Sequence, residues 1–272
     1  MKPSHRIFPI SGFTLAEVLV VSLILSVLLA FVVPVGLQCM ANARMAREMN
    51  GARRAVEAWR SYASDNNQSV LPGYQMDASA RNARGQRVTF PANARYVFRL
   101  APYLEYALKG TLHVNQQAKV NSDYDVSMAP SFGINLTFVG GDYGGGTDLL
   151  PSDENYATYG KFVVTNLNEI HSPARLLVFA SARVTDSQSR TTPGYNAIRS
   201  PRWTTSRWPS VYSENLPYYE FGAVHPRYAD RAVCAMADGH VELLTMDELR
   251  DMRRWSNQAA QADDPDWTLQ PL

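Results

Sequence analysis

The sequence predicts an α+β protein in which one long N-terminal helix, membrane-spanning in its first part, continues into a head containing an antiparallel β-sheet. Three observations predict it. An apolar run opens the chain, a stripe of helical period comes next, and short β-branched runs with an Asp-Gly hairpin occupy the remainder.

The chain has 272 residues, enough for one or two domains with a real core. A net charge of +1 gives no basis for a nucleic-acid partner. Its two cysteines, Cys39 and Cys234, are no disulfide framework.

From Phe13 to Val35 the run is interrupted only by Thr14, Glu17, Ser22, Ser26 and Pro34. At about 1.5 Å per residue such a helix spans a hydrocarbon core of about 30 Å. Met1 to Gly12 carries Lys2, His5 and Arg6 and no acid. A cleaved secretory signal fits poorly, because the run is long and holds Glu17. A lipoprotein signal ending at Cys39 fails on the bulky Gln38 before it. A plain membrane anchor leaves Glu17 unexplained, and a carboxylate at that depth is a functional hypothesis by default.

The stretch "SGFTLAEVLVV" (Ser11–Val21) closely resembles the processing site of type IV prepilins and type II secretion pseudopilins. The resemblance covers about 25 residues. It implies cleavage by a prepilin peptidase between Gly12 and Phe13, methylation of the new amine at Phe13, and an assembly role for Glu17, the fifth residue of the mature chain. Pro34 falls where many members of that family carry a helix-loosening proline. The resemblance further implies a pilin-like fold, other pilin-like subunits as partners through the N-terminal helix, and a bacterial inner-membrane location with the N-terminus cytoplasmic. Charge alone leaves orientation open, since residues 42–60 carry five arginines against Glu48 and Glu57. The physical reason for Glu17 would be pairing: a carboxylate on one helix neutralises the amine of its neighbour, and the penalty for a missing partner fixes register.

The expected organisation is a leader at 1–12, a transmembrane segment at 13–36, the second half of the helix at 37–65 and a head at 66–272. Leu37, Met40, Met45, Met49, Ala52, Val56 and Trp59 recur at helical spacing, a stripe for docking on a sheet, with Asp65-Asn66-Asn67 as the stop. Residues 64–95 read as loop and "RYVFRLAPYLEYAL" as a short helix or turn. "GINLTFVGGDYGGG" reads as a strand entering a glycine-rich loop that lacks the Gly-Lys-Ser/Thr ending of a phosphate cradle. "GKFVVTNL" and "ARLLVFASA" read as core strands, with His171 in the turn between them. Residues 185–219 read as a large surface loop, and "TMDELRDMRRW" as a terminal helix with a Thr245/Glu248 capping box.

In "HPRYADRAVCAMADGHVELL" the Asp238-Gly239 pair predicts a two-residue type I′ turn. Met236 would then face Val241 and Cys234 would face Leu243, with His240 and Glu242 on the opposite face beside Ala235. Cys234 would be a buried thiol. The segment resembles the C-terminal signature of a family of pilin-like proteins in which a histidine precedes Asp-Gly-His by nine residues. Here twelve residues separate His225 from Asp238, so His225, Asp238, Gly239 and His240 match that motif with a departure in spacing.

No serine elbow, paired catalytic carboxylates or zinc-protease helix occurs, so neither catalysis, a cofactor nor a metal is expected. The function expected is structural: a subunit of a type II secretion-like pseudopilus or type IV pilus-like filament. The rival is a single-pass anchored protein whose head binds a ligand, glycan or calcium, with Trp203 and Trp208 as its main support.

Overall fold

The computed structural model describes residues 14–114, 121–144, 149–185, 191–204 and 207–272, so Gly12 and Phe13 lie outside the described residues. The chain divides into two units, Met1–Arg44 and Met45–Leu272. Helix α1, Leu15–Asp65, supplies residues to both.

In the first unit the most apolar window of α1 has a mean hydropathy of 3.0 and is 0% buried. By length and composition it is able to cross a membrane. Its hydroxyls are satisfied within the helix: Ser22 donates to the Leu19 carbonyl at 2.9 Å and Ser26 to the Ser22 carbonyl at 2.7 Å. The helix is continuous through Pro34, although a proline there has no N–H for the Ala30 carbonyl.

The second unit is the head. Its strands are β1 Phe132–Asn135, β2 Leu177–Ser181, β3 Arg183–Thr185, β4 Thr191–Pro193, β5 Ala197–Ile198, β6 Arg231–Met236 and β7 Val241–Thr245. Five of them form one sheet in the order β5-β1-β2-β6-β7, and β3 pairs with β4 in a separate ribbon. All pairings are antiparallel except the parallel β1–β5 edge.

Both faces of the sheet are covered, which is why β2 is a continuous apolar run rather than an alternating one. On one face Ala52, Val56 and Trp59 of α1 pack with Tyr96 and Leu100 of α2 (Tyr96–Leu100) over Ile134, Val178, Val233 and Ala235. On the other, Trp203, Trp208, Phe221, Leu249, Met252 and Trp255 cover Leu177, Cys234, Met236 and Leu244. Helix α1 comes so close to the chain beyond α2 that a Cβ on Gly51 would lie 2.7 Å from the Thr111 carbonyl oxygen.

Several expectations are corrected. Leu37 and Met40 are exposed; the docked stripe begins at Glu48 and runs through Ala52, Ala55, Val56 and Trp59. "GKFVVTNL" is buried at Phe162–Val164 but forms no strand. Its bonds go to two different neighbours, with Val164 N–H donating to Phe138 O at 2.8 Å and Val70 N–H to Thr165 O at 2.8 Å, so no ladder develops. The described part of 185–219 is not simply a surface loop: it holds β4 and β5, and Trp203 and Trp208 are only 7% and 4% exposed. The bonds of the Thr245/Glu248 capping box form, yet the chain beyond Thr245 makes two 3₁₀ turns, Glu248–Arg250 and Met252–Arg254. A separate helix, Asn257–Ala262, comes after them.

The hairpin turn also differs. Positive φ occurs at Gly239 (103°) but not at Asp238, and Gly239 N–H donates to Met236 O at 2.9 Å. This is a turn with a glycine in the third loop position, so the loop has three residues. The register moves by one: Ala235 faces Val241, and Cys234 faces Glu242. A one-residue slip exchanges the faces, so Val241 and Leu243 join Val233 and Ala235 on the α1 side, and Cys234 lies beneath the C-terminal layer.

Candidate functional site

Two clusters bear on function, one in each unit. In the first, Thr14 and Glu17 form a reciprocal capping box. Glu17 Oε2 accepts from the Thr14 amide at 2.8 Å and from its hydroxyl at 2.9 Å, while Glu17 N–H donates to Thr14 Oγ1 at 3.3 Å. The carboxylate thereby satisfies donors at a helix start, where the first four amides have no intrahelical acceptor. The lone acid of the apolar run therefore has an intrachain task, and its spacing of three residues after Thr14 is the signal in the sequence that marks it.

The second cluster sits in the head at the N-terminal end of β6. Glu48 is fully buried on the docked stripe of α1. Tyr228 donates its hydroxyl to Glu48 Oε2 at 2.5 Å, and Arg227 Nε lies 3.5 Å from Oε1. The same arginine donates to the Ala182 and Ser131 carbonyls at 2.6 and 3.2 Å. Arg183, also fully buried, donates to the carbonyls of Glu214 and Leu216 at 2.8 and 3.0 Å. The result is a polar lock joining α1 to the chain entering β6, with Arg183 anchoring the loop beside it.

His225 belongs to this lock. It is 6% exposed, its amide donates to Ser181 O at 2.8 Å, and Ser181 Oγ donates to its carbonyl at 2.9 Å. Burial, reinforced by the positive charges of Arg227 and Arg183, lowers its pKa to about 3. The 3.3 Å contact of Nε2 with Glu214 Oε1 is therefore a hydrogen bond donated by a neutral ring, not an ion pair.

The Asp238–His240 turn lies at the other end of β6, which spans six residues. There His240 Nδ1 is 2.7 Å from Asp238 Oδ1 and Nε2 is 3.9 Å from Glu242 Oε1. Arg60 of α1 donates to the Asp238 carbonyl. The structure thus separates His225 from Asp238, Gly239 and His240, and a site combining all four is not formed. Among the described residues no group of three or more potential metal ligands converges. Two of the three acids of "ADDPDW" are engaged by arginines, Asp263 with Arg253 and Asp266 with Arg202, both at 2.7 Å, and Asp264 Oδ1 accepts from the Asp266 amide at 2.9 Å. Cys234 is buried and its thiol pKa is raised, chiefly by burial; Cys39 is exposed and free.

Sequence reasoning missed Glu48, Arg183, Arg227 and Tyr228. A signal existed for Glu48, which is four residues before Ala52 on the apolar stripe, where a solvated acid does not belong. Nothing local marked the other three. Compared with protein-family models, with curated proteins and with solved structures, the chain matches none.

Proposed function

We propose that the chain is a structural subunit of a filament of the type II secretion pseudopilus or type IV pilus kind. A prepilin peptidase cuts it between Gly12 and Phe13, and the new amine of Phe13 is methylated. The head is extracytoplasmic and the leader cytoplasmic. The observation that carries this reading is α1 itself: one uninterrupted helix of 51 residues has an uncovered apolar first part and an acid in its first turn, and its later residues are built into the head's core.

Lipid covers the apolar surface of α1 before assembly, and the same surface of neighbouring helices covers it afterwards, so transfer changes little in exposed apolar area. Specificity must then come from polar groups. A charged amine at Phe13 needs a counter-charge in that environment, and Glu17 of an adjacent subunit supplies it.

The test exploits the capping box. Glu17→Gln keeps the box, since glutamine serves at that position, but loses the charge; Glu17→Ala loses both. The expected result is that both variants are processed to start at Phe13 by intact mass, yet are absent from sheared filament fractions. Filaments from Glu17→Gln at the wild-type level would show that the residue only caps its helix, and the pairing mechanism would fall. A mass retaining Met1 or Lys2 in the wild type would remove processing altogether.

A further inference from the structure

A polar cleft of about 640 Å³ opens in the head where α1 ends. Its walls are the rings of Tyr62, Tyr103 and Tyr106, with Asp65, Asp77 and Arg81 at the rim. The volume lies in the range of small-molecule sites, about 300–1,000 Å³. Tyr62 and Tyr103 stand edge to face, with centroids 5.7 Å apart and planes at 70°.

Backbone conformation on both sides of the cleft is unusual. At the end of α1, Asn67 and Gln68 have φ of 53° and 65°; after the 3₁₀ turn Ala101–Leu104, Glu105 and Tyr106 have φ of 51° and 59°. Each pair closes its helix with a six-to-one bond, Gln68 N–H to Ala63 O at 2.7 Å and Tyr106 N–H to Ala101 O at 2.9 Å. Asparagine tolerates the left-handed region, but a bulky tyrosine rarely occupies it. Such strain gathers at sites whose geometry is used. Here it sets Tyr106 in the cleft wall.

The chemistry of the lining selects a ligand class. Two acids, Asp65 and Asp77, face two bases, Arg81 and Arg99, so the cleft carries no excess charge. Arg99 is committed to the floor, donating to the Pro72 and Gln75 carbonyls at 3.2 and 2.6 Å. Asp65 and Arg81 are exposed, Tyr62 and Tyr106 half-buried, and their carboxylate, guanidinium and hydroxyls make no side-chain hydrogen bond among the described residues, which leaves acceptors and donors open to a ligand. Aromatic faces with planar carboxylate and guanidinium groups suit a neutral ring that has C–H faces and an equatorial edge of hydroxyls. A cation would gain from the tyrosines and acids but be opposed by the two arginines. We propose that this cleft is a saccharide-binding site, a role that does not depend on filament assembly.

The test uses the full chain in sugar-free nanodiscs, with maltotriose and the trisaccharide of N-acetylglucosamine as probes and tetramethylammonium as the cationic comparison. Saturation transfer from the protein to sugar C–H protons is expected for at least one trisaccharide. Tyr106→Ala should weaken that binding about tenfold, which is about 1.4 kcal/mol for one stacked ring. Asp65→Asn, a nearly isosteric change at an exposed residue, should weaken it several-fold with unchanged tryptophan emission. Transfer to neither sugar, binding indifferent to both variants, or binding of tetramethylammonium alone would each overturn the assignment.

Discussion

Helix α1 contains two stretches that the protein treats in opposite ways. From Leu15 to Met40 most side chains are large and apolar, and those described are exposed. From Glu48 to Ala63 the sequence is less hydrophobic, with Arg53, Arg54 and Arg60 and the acids Glu48 and Glu57 set among small residues. Yet this is the stretch with a fully buried face at Ala52, Ala55, Val56 and Trp59. Burial therefore follows pattern, not total hydrophobicity. A stripe covering one side of a helix tells a sheet where to pack, whereas a helix that is apolar all round gives a sheet no preferred face and suits a solvent without direction, such as lipid.

The difference is sharpest at Trp59. It is fully buried against the α1 face of the sheet, and Trp59→Ala should cost the head about 3–5 kcal/mol through lost burial and the cavity left behind. All five tryptophans, Trp59, Trp203, Trp208, Trp255 and Trp267, lie in the head, so urea unfolding of the full chain followed by the remaining four reports on that unit. A change below 1 kcal/mol would mean that the docked stripe is not what holds α1 to the sheet.

The next effect concerns the acid that interrupts the stripe. Glu48→Gln should cost about 3 kcal/mol, because Arg227, whose side chain is only 11% exposed, would lose its counter-charge. The double change with Arg227→Gln should recover part of that loss. A double-mutant cycle with coupling under 0.5 kcal/mol would show the two residues act separately. The contrast with Glu17 is instructive: Glu48 is answered within its own head, whereas Glu17 has only Thr14 among the described residues.

Per pH unit, His225 gives a smaller and graded effect. Its folded pKa of about 3 lies below its ordinary value of 6.5, so the unfolded chain takes up a proton first as the pH falls. Above pH 6.5 its neutral form carries no penalty; between 6.5 and 3 stability should decline by up to about 1.4 kcal/mol per pH unit. His225→Gln should flatten the slope between pH 6 and 5 relative to wild type. Equal slopes would mean that His225 is reached by solvent and charges in place, despite Arg183 and Arg227 beside it.

Much of this is legible in the sequence. The apolar run, the end of α1, strand β2 and the buried thiol of Cys234 are readable from period, stop signals and β-branched content. The features that escape such reading are set by distant partners. The hairpin register turns on whether Asp238 or only Gly239 takes positive φ, a choice the dipeptide does not encode. Trp203 and Trp208 sit in a stretch without periodicity, and only the underside of the sheet shows why they are buried. The polar lock joins Glu48 to residues far along the chain, as in the Tyr228–Glu48 bond with its separation of 180, so no window along the sequence contains it.

The smallest expected effect tests the other half of the comparison. Leu28, 55% exposed in the apolar stretch, is replaced by alanine, which keeps helix propensity and removes only apolar surface. If that stretch contributes nothing to the head's core, the urea midpoint followed by tryptophan emission should move by less than the equivalent of about 0.5 kcal/mol. A shift of about 2 kcal/mol or more would mean that Leu28 packs on the head in solution, and that the apolar stretch is a core element rather than a surface kept for lipid or for neighbouring helices. The same variant should still leave the Thr14–Glu17 box intact, because that box is closed within a single turn well before Leu28. Loss of head stability together with normal membrane partitioning would therefore point to packing, while unchanged stability keeps the two halves of α1 energetically separate.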